Sequence, residues 1–252
     1  MTHRPEITAA NYAEVYDYYT ESRLKPHVSS AIFRACSMLY SPDVYIADST
    51  RDQINEQLEQ GKGALIAMNH PSHHDPFVGA AGMRRSGIPE LTDCMAFAKD
   101  SLFRGPTLPL FEYTGCVPVF RHKSYPDLDR HTFNEATNRL LELAAHRLQD
   151  GQTVSILPEG TTSRPEALTQ LEMQDIKSGI ARVALLASDE QSFIVPMAIA
   201  YRPGQLHQKL PPRHAVVTFG DPVTEYAASS KGLREQVLEA MQGQLTEANG
   251  RI

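Results

Sequence analysis

Apolar positions along the chain follow two spacings, and their alternation is the first guide to the fold. Over residues 11–22 and 27–40 they recur every three or four residues, and in HVSSAIFRACSMLY they fall at Val28, Ile32, Phe33, Met38 and Leu39, one face of an amphipathic helix. Pro26 suits the start of that helix, where its fixed φ and missing N–H cost nothing. The same period predicts a helix over 128–149, carried by Phe133, Leu140, Leu141 and Leu148 and closed by Gly151. It also predicts helices over 176–187 (IKSGIARVALLA) and in GLREQVLEAMQGQLTEA, and the end of a shorter one at 55–60 ahead of Gly61 and Gly63.

Strands are predicted where apolar residues run continuously between turn signals: DVYIADS (43–49), ALIAMNH, GCVPVFR (115–121), TVSILP, FIVPMAIAY (193–201) and AVVTFGDPV. ALIAMNH lies between glycines and Asn-His-Pro and is apolar throughout, as a strand covered on both faces must be. DCMAFAKDSLF fits either pattern. Strands alternating with helices predict an α/β domain over 43–252, built on a mixed, largely parallel sheet flanked by helices. Residues 1–42 are expected to form a helical segment appended to it.

Composition narrows the function classes. The formal charge of −6, with no long basic tract, lacks the electrostatic footprint that binding a phosphate backbone needs, so nucleic acid is not expected as a partner. Cys36, Cys94 and Cys116 are odd in number and lack CxxC spacing, which gives no support to a disulfide framework and fits a reducing cytoplasm. No apolar run approaches the roughly 20 residues of a membrane span, which leaves room for a protein lying on a membrane.

Two loops carry the candidate chemistry, each delivered by the carboxyl end of a predicted strand, where open α/β sheets place their ligands. The first, NHPSHHDP, spaces His70 and Asp75 as H-x4-D. A carboxylate accepting the imidazole N–H fixes its tautomer and leaves the other ring nitrogen to take a proton from a hydroxyl. That is a catalytic triad without the enzyme's nucleophile, and the substrate's own hydroxyl would fill the role. A structural hydrogen bond explains a lone His–Asp pair equally well. The second loop, PEGTTSR, places Glu159, Gly160, Thr161 and Ser163 at a strand end, with Arg164 as a cationic donor and backbone N–H groups for an oxyanion or phosphate. His73 and His74 beside His70 also raise a metal-dependent hydrolase as an alternative, although zinc motifs of the H-x-H-x-D-H type put the aspartate between histidines.

In this order, NHPSHHDP, GCVPVFR, LPEGTTSR and VPMAIAY resemble the four blocks of the glycerolipid acyltransferase family, that of 1-acylglycerol-3-phosphate acyltransferase and its relatives. The resemblance implies acyl transfer from a thioester, acyl-CoA or acyl carrier protein, to a hydroxyl of a lysolipid or glycerol phosphate, with no metal or redox cofactor. By the family pattern His70 is the general base and Asp75 its partner. Gly115 and Arg121 match the second block, Glu159, Gly160 and Thr161 the third, and Pro196 the fourth; the second and third blocks bind the acceptor. Arg164 joins the expected acceptor site because Thr162 stands where the third block commonly carries arginine, so the acceptor's phosphate would be held by Arg121 or Arg164, or be absent as in an aminolipid or specialised metabolite. Helix 27–40 and the 101–111 loop, with Arg23, Lys25 and Arg34 nearby, are expected to reach a membrane surface or to pack on the core.

Overall fold

The computed structural model describes residues 4–21, 23–163, 166–202, 204, 206 and 214–252. Its seven strands form one sheet: β1 (Asp43–Ile46), β2 (Gly63–Met68), β3 (Cys94–Lys99), β4 (Cys116–Val119), β5 (Thr153–Ile156), β6 (Ser192–Tyr201) and β7 (Ala215–Phe219). Their order across the sheet is β1-β7-β6-β2-β5-β3-β4. The five strands from β6 to β4 are mutually parallel, and β7 runs antiparallel to β6 with β1 parallel to β7.

The main helices are α1 (Tyr12–Tyr18), α2 (Pro26–Leu39), α3 (Asp48–Glu59), α4 (Asp75–Arg85), α5 (Leu108–Tyr113), α6 (Arg130–Gln149), α7 (Ser178–Ala187) and α8 (Ser230–Gly250). Strand β2 shows why the sheet needs cover on both sides. Leu65 and Ala67 enter the apolar cluster built with α6, α7 and α8, while Ala64, Ile66 and Met68 enter the one built with α2, α3 and α4. All six residues of β2 are buried, as the unbroken apolar run requires.

Chain direction then fixes where a ligand can sit. From β2 the chain passes through α4 to β3, beyond β5; from β5 it passes through α7 to β6, on the far side of β2. Neighbouring strands whose connections diverge open a crevice at their carboxyl ends. The loops after β2 and β5 flank that crevice.

The structure departs from the sequence-based expectations in a few places. The strand expected over 43–49 stops at Ile46, and the helix expected only at 55–60 begins at Asp48, because Thr50 and Ile54 are buried at helical spacing beneath polar neighbours. The ambiguous 93–103 stretch is strand β3, and the 101–111 loop contains the start of α5. The helices of segment 1–42 pack on the domain: Val15 and Tyr16 of α1 are buried in the larger cluster, and Phe33 and Cys36 of α2 in the other. Pro196 sits in β6, a strand paired on both sides. Ile194 donates its N–H to Val223 and Gly220 donates to Pro196 O, so the N–H that proline lacks falls on the β7 side, where the ladder is interrupted between Ile194 and Met197.

Candidate active site

His70 and Asp75 meet because β2 ends at Met68 and α4 begins at Asp75, leaving a six-residue turn stiffened by Pro71 and followed by Pro76 in the first turn of α4. Asn69, buried directly after the last strand residue, extends β2 with its side chain. Its amide accepts the Ile199 N–H at 2.7 Å and donates to Ile199 O at 3.0 Å, replacing a backbone ladder pair just before the turn. The chain is thereby pinned to β6 one residue before His70.

The imidazole Nδ1 of His70 lies 2.7 Å from Asp75 Oδ2, and the same oxygen accepts the Ser72 N–H at 2.7 Å. Asp75 Oδ1 accepts the Tyr201 hydroxyl at 2.6 Å. Asp75 is fully buried, and burial raises its pKa against the opposing pull of His70, Tyr201 and Ser72. Since the Ser72 amide and the Tyr201 hydroxyl both donate, the carboxylate acts as acceptor and Nδ1 carries the imidazole hydrogen. The His70 side chain is 18% exposed, and with Nδ1 taken by Asp75 its Nε2 is the ring nitrogen left for another partner.

The second loop holds the first in place. Glu159 Oε1 accepts the His70 backbone N–H at 2.7 Å, and the Ser163 N–H donates to His70 O at 2.6 Å. Glu159 is buried, and that burial raises its pKa although the His70 amide favours its charged form. Its carboxylate is therefore committed to the His70 backbone. Replacing Glu159 by glutamine keeps an acceptor for that amide and removes the buried charge. A carboxyl whose folded pKa is raised binds more protons in the native state, so wild-type stability falls as pH climbs through the window above about 4.3. The melting temperature of Glu159→Gln relative to wild type is expected to increase across that window and then level off; a difference independent of pH would contradict the raised pKa.

The remaining predicted site residues fall into three places. Gly160 and Thr161 adjoin Glu159, but the Gly160 N–H donates to Leu157 O at 3.0 Å and is not free for an oxyanion. The start of α4 is no better, for the Asp75 N–H goes to Ser72 O and the His74 N–H to Ser72 Oγ. Arg121 follows β4 on the same rim as His70, and its guanidinium has no hydrogen bond or ion pair among the described residues. By the strand register it stands one residue beyond the level of His70, three strands away, roughly 14 Å across the sheet. Arg164 lies outside the described residues.

Gly115 is not on this rim. It precedes β4 at the amino end of the sheet, beside a small cavity lined by residues including Tyr19, Arg23, Glu112 and Arg147, a strand's length from His70. Its φ is +82°, and a Cβ there would come within 2.4 Å of Cys94 O. The structure thus sets Gly115, expected at the acceptor site, apart from His70, and glycine is needed there for backbone packing.

Two nucleophile candidates are also placed. Ser72 Oγ is buried and donates to Leu206 O at 3.0 Å, and burial pushes the Cys116 thiol up to about 11 at the amino end of β4. Neither is presented to His70. Among the described residues no group of three or more His, Cys, Asp or Glu side chains is arranged to hold a metal ion. Sequence reasoning assigned no role to Asn69 or Tyr201, although both were in the quoted blocks. The available signal was position: a polar or phenolic residue at the carboxyl end of an otherwise apolar strand.

The α/β sheet presents a His–carboxylate pair at its topological switch point, an arrangement suited to activating a hydroxyl. The chain belongs to the acyltransferase family of the glycerolipid type, whose profile its residues 49–200 match, and it is an O-acyltransferase. A comparison with curated proteins found no match.

Proposed function

We propose that the protein transfers a fatty acyl group from acyl-CoA or acyl carrier protein to a hydroxyl of a lysophospholipid or glycerol-phosphate-type acceptor. The observation that carries this reading is the His70–Asp75 pair, held by partners on both sides, with neither Ser72 nor Cys116 presented to it. His70 Nε2 takes the acceptor's hydroxyl proton as the oxygen attacks the thioester carbonyl. The tetrahedral intermediate then collapses, the C–S bond breaks, and the imidazolium returns the proton to the departing thiolate. Asp75 holds Nδ1–H throughout and stabilises the imidazolium. No acyl-enzyme forms and no metal or redox cofactor takes part.

Arg121 supplies the anion contact in this reading, since an unpaired guanidinium on the rim can fork onto phosphate oxygens. Arg121→Ala is expected to raise KM for a phosphate-bearing acceptor by about 10- to 100-fold while leaving KM for the acyl donor alone, measured by steady-state thiol release. An unchanged acceptor KM would remove Arg121 from the site.

Thr162, standing where the third block commonly has arginine, supports a second acceptor class, one without a phosphate monoester such as an aminolipid. Comparing lysophosphatidate, glycerol 3-phosphate, lysophosphatidylcholine and a lyso-aminolipid as acceptors for palmitoyl-CoA decides between them. We place the protein in the cytoplasm, peripheral to the inner face of the cell membrane. Among the described residues no helix is long and apolar enough to cross a membrane. Peripheral contact is supported by Met38 and Leu39 of α2, each 67% exposed, and Phe77 of α4 near the His70 loop, with Arg34 exposed on the same helix as the first two.

A further inference from the structure

We propose that Tyr201 is a positioning residue for acyl transfer: its hydroxyl anchors one oxygen of Asp75 so that the other keeps the His70 imidazole aimed at the acceptor. This rests on the proposed function. The geometry is specific. Tyr201 is the last residue of β6, the strand beside β2, and its side chain reaches across to Asp75 Oδ1 at 2.6 Å, while Oδ2 serves His70 Nδ1 and the Ser72 amide.

A buried carboxylate held by one edge alone can pivot about its Cβ–Cγ bond; with a donor on each oxygen, its plane is set. Tyr201 is buried, 7% exposed, and Asn69 ties the adjacent stretch of β6 to the end of β2 through Ile199, so the phenol is carried on a strand fixed in register with the loop. Burial and the neighbouring Asp75 push the phenol's pKa far above its ordinary value, which keeps it a donor throughout the working pH range.

Among the described residues the other titratable groups around Asp75 are His70, Tyr40, His74 and Glu159. His70 shares Oδ2, Tyr40 at the end of α2 interacts with Tyr201, and the Tyr40 hydroxyl lies 3.4 Å from His74 Nδ1. Glu159 bonds the His70 backbone from the β5 side. Because the Tyr201 hydrogen bond lowers the proton affinity of Asp75, removing it leaves the dyad holding its proton to higher pH. The base is then lost at higher pH as well.

The test is Tyr201→Phe, which keeps the ring and deletes the hydroxyl. It is expected to lower kcat about tenfold, the size of one lost charge-assisted hydrogen bond, with both KM values within about twofold. The acid limb of the kcat/KM profile should move to higher pH, and in an Asp75→Asn background the same change should cost nothing further. A readout that needs no turnover is the downfield proton signal of His70 Nδ1–H, assigned by its loss in Asp75→Asn and expected to move in Tyr201→Phe. An unmoved signal and unmoved pH profile, or an equal loss of kcat in the Asp75→Asn background, would overturn the role. If wild type failed to transfer acyl groups at all but the signal still moved, the proposed function would fall while Tyr201 would stand as the residue that positions the dyad.

Discussion

Replacing His70 by alanine is expected to lower acceptor-dependent acyl transfer by about 1,000-fold, because among the described residues the other groups bonded to the Asp75 carboxylate, the Ser72 amide and the Tyr201 hydroxyl, do not serve as a base. Ser72 Oγ is spent on Leu206 O, and the Tyr201 hydroxyl is buried against Asp75. Asp75→Asn is expected to cost about 100-fold or more, since an amide can hold the ring but cannot favour the imidazolium or enforce the Nδ1–H tautomer. Both losses should appear in kcat with the KM values little changed, because both side chains act on charge that develops in the transition state. Steady-state thiol release from palmitoyl-CoA measures them. A His70→Ala protein with more than about a tenth of wild-type activity would remove the histidine from the mechanism.

The largest effect on stability is expected at Gly115, far from the chemistry. Alanine there meets two penalties. An L side chain at φ +82° costs about 1–2 kcal/mol. The added Cβ would also lie 2.4 Å from the Cys94 carbonyl oxygen, a backbone atom, so relief requires β3 and β4 to move apart. Overpacking of that kind costs about 1–3 kcal/mol. A movement of β4 would also disturb the Ala96 N–H bond to Gly115 O that begins the β3–β4 ladder. The sum is about 2–5 kcal/mol, a melting temperature lower by about 5–15 °C for a chain of this size. Activity per folded molecule, assayed well below the transition, should stay near wild type with an unchanged acceptor KM. A stable Gly115→Ala protein with a raised acceptor KM would return this glycine to the acceptor site.

These two residues show what a linear sequence exposes and what it hides. His70 and Asp75 were legible because the elements that bring them together are local: one strand, one proline-stiffened turn and one helix start. The strands themselves were legible from unbroken apolar runs, and the placement of both polar loops on one rim followed from strands alternating with helices. Gly115 and Arg121 share one quoted block, yet a four-residue strand separates them and sends them to opposite rims, which block matching does not resolve. The ties of Glu159 to the His70 amide, Asn69 to Ile199 and Tyr201 to Asp75 span 89, 130 and 126 residues. They depend on which strands become neighbours, and the order β6-β2-β5 is not written in the spacing of any one segment. The front of α3 was hidden for a different reason. Its buried face is only Thr50 and Ile54, too few apolar residues to show a period.

The central claim is that the acyl group passes directly from thioester to acceptor hydroxyl. A rapid-quench reaction of the protein with palmitoyl-CoA tests it most directly, with and without lysophosphatidate or whichever acceptor supports turnover, followed by intact-protein and product mass measurement. The account predicts thiol release only with acceptor present, one ester formed for each thiol freed, and a protein mass unchanged at every time point. A palmitoyl adduct on the protein, or thiol and free palmitate released at the same rate without acceptor, would contradict it.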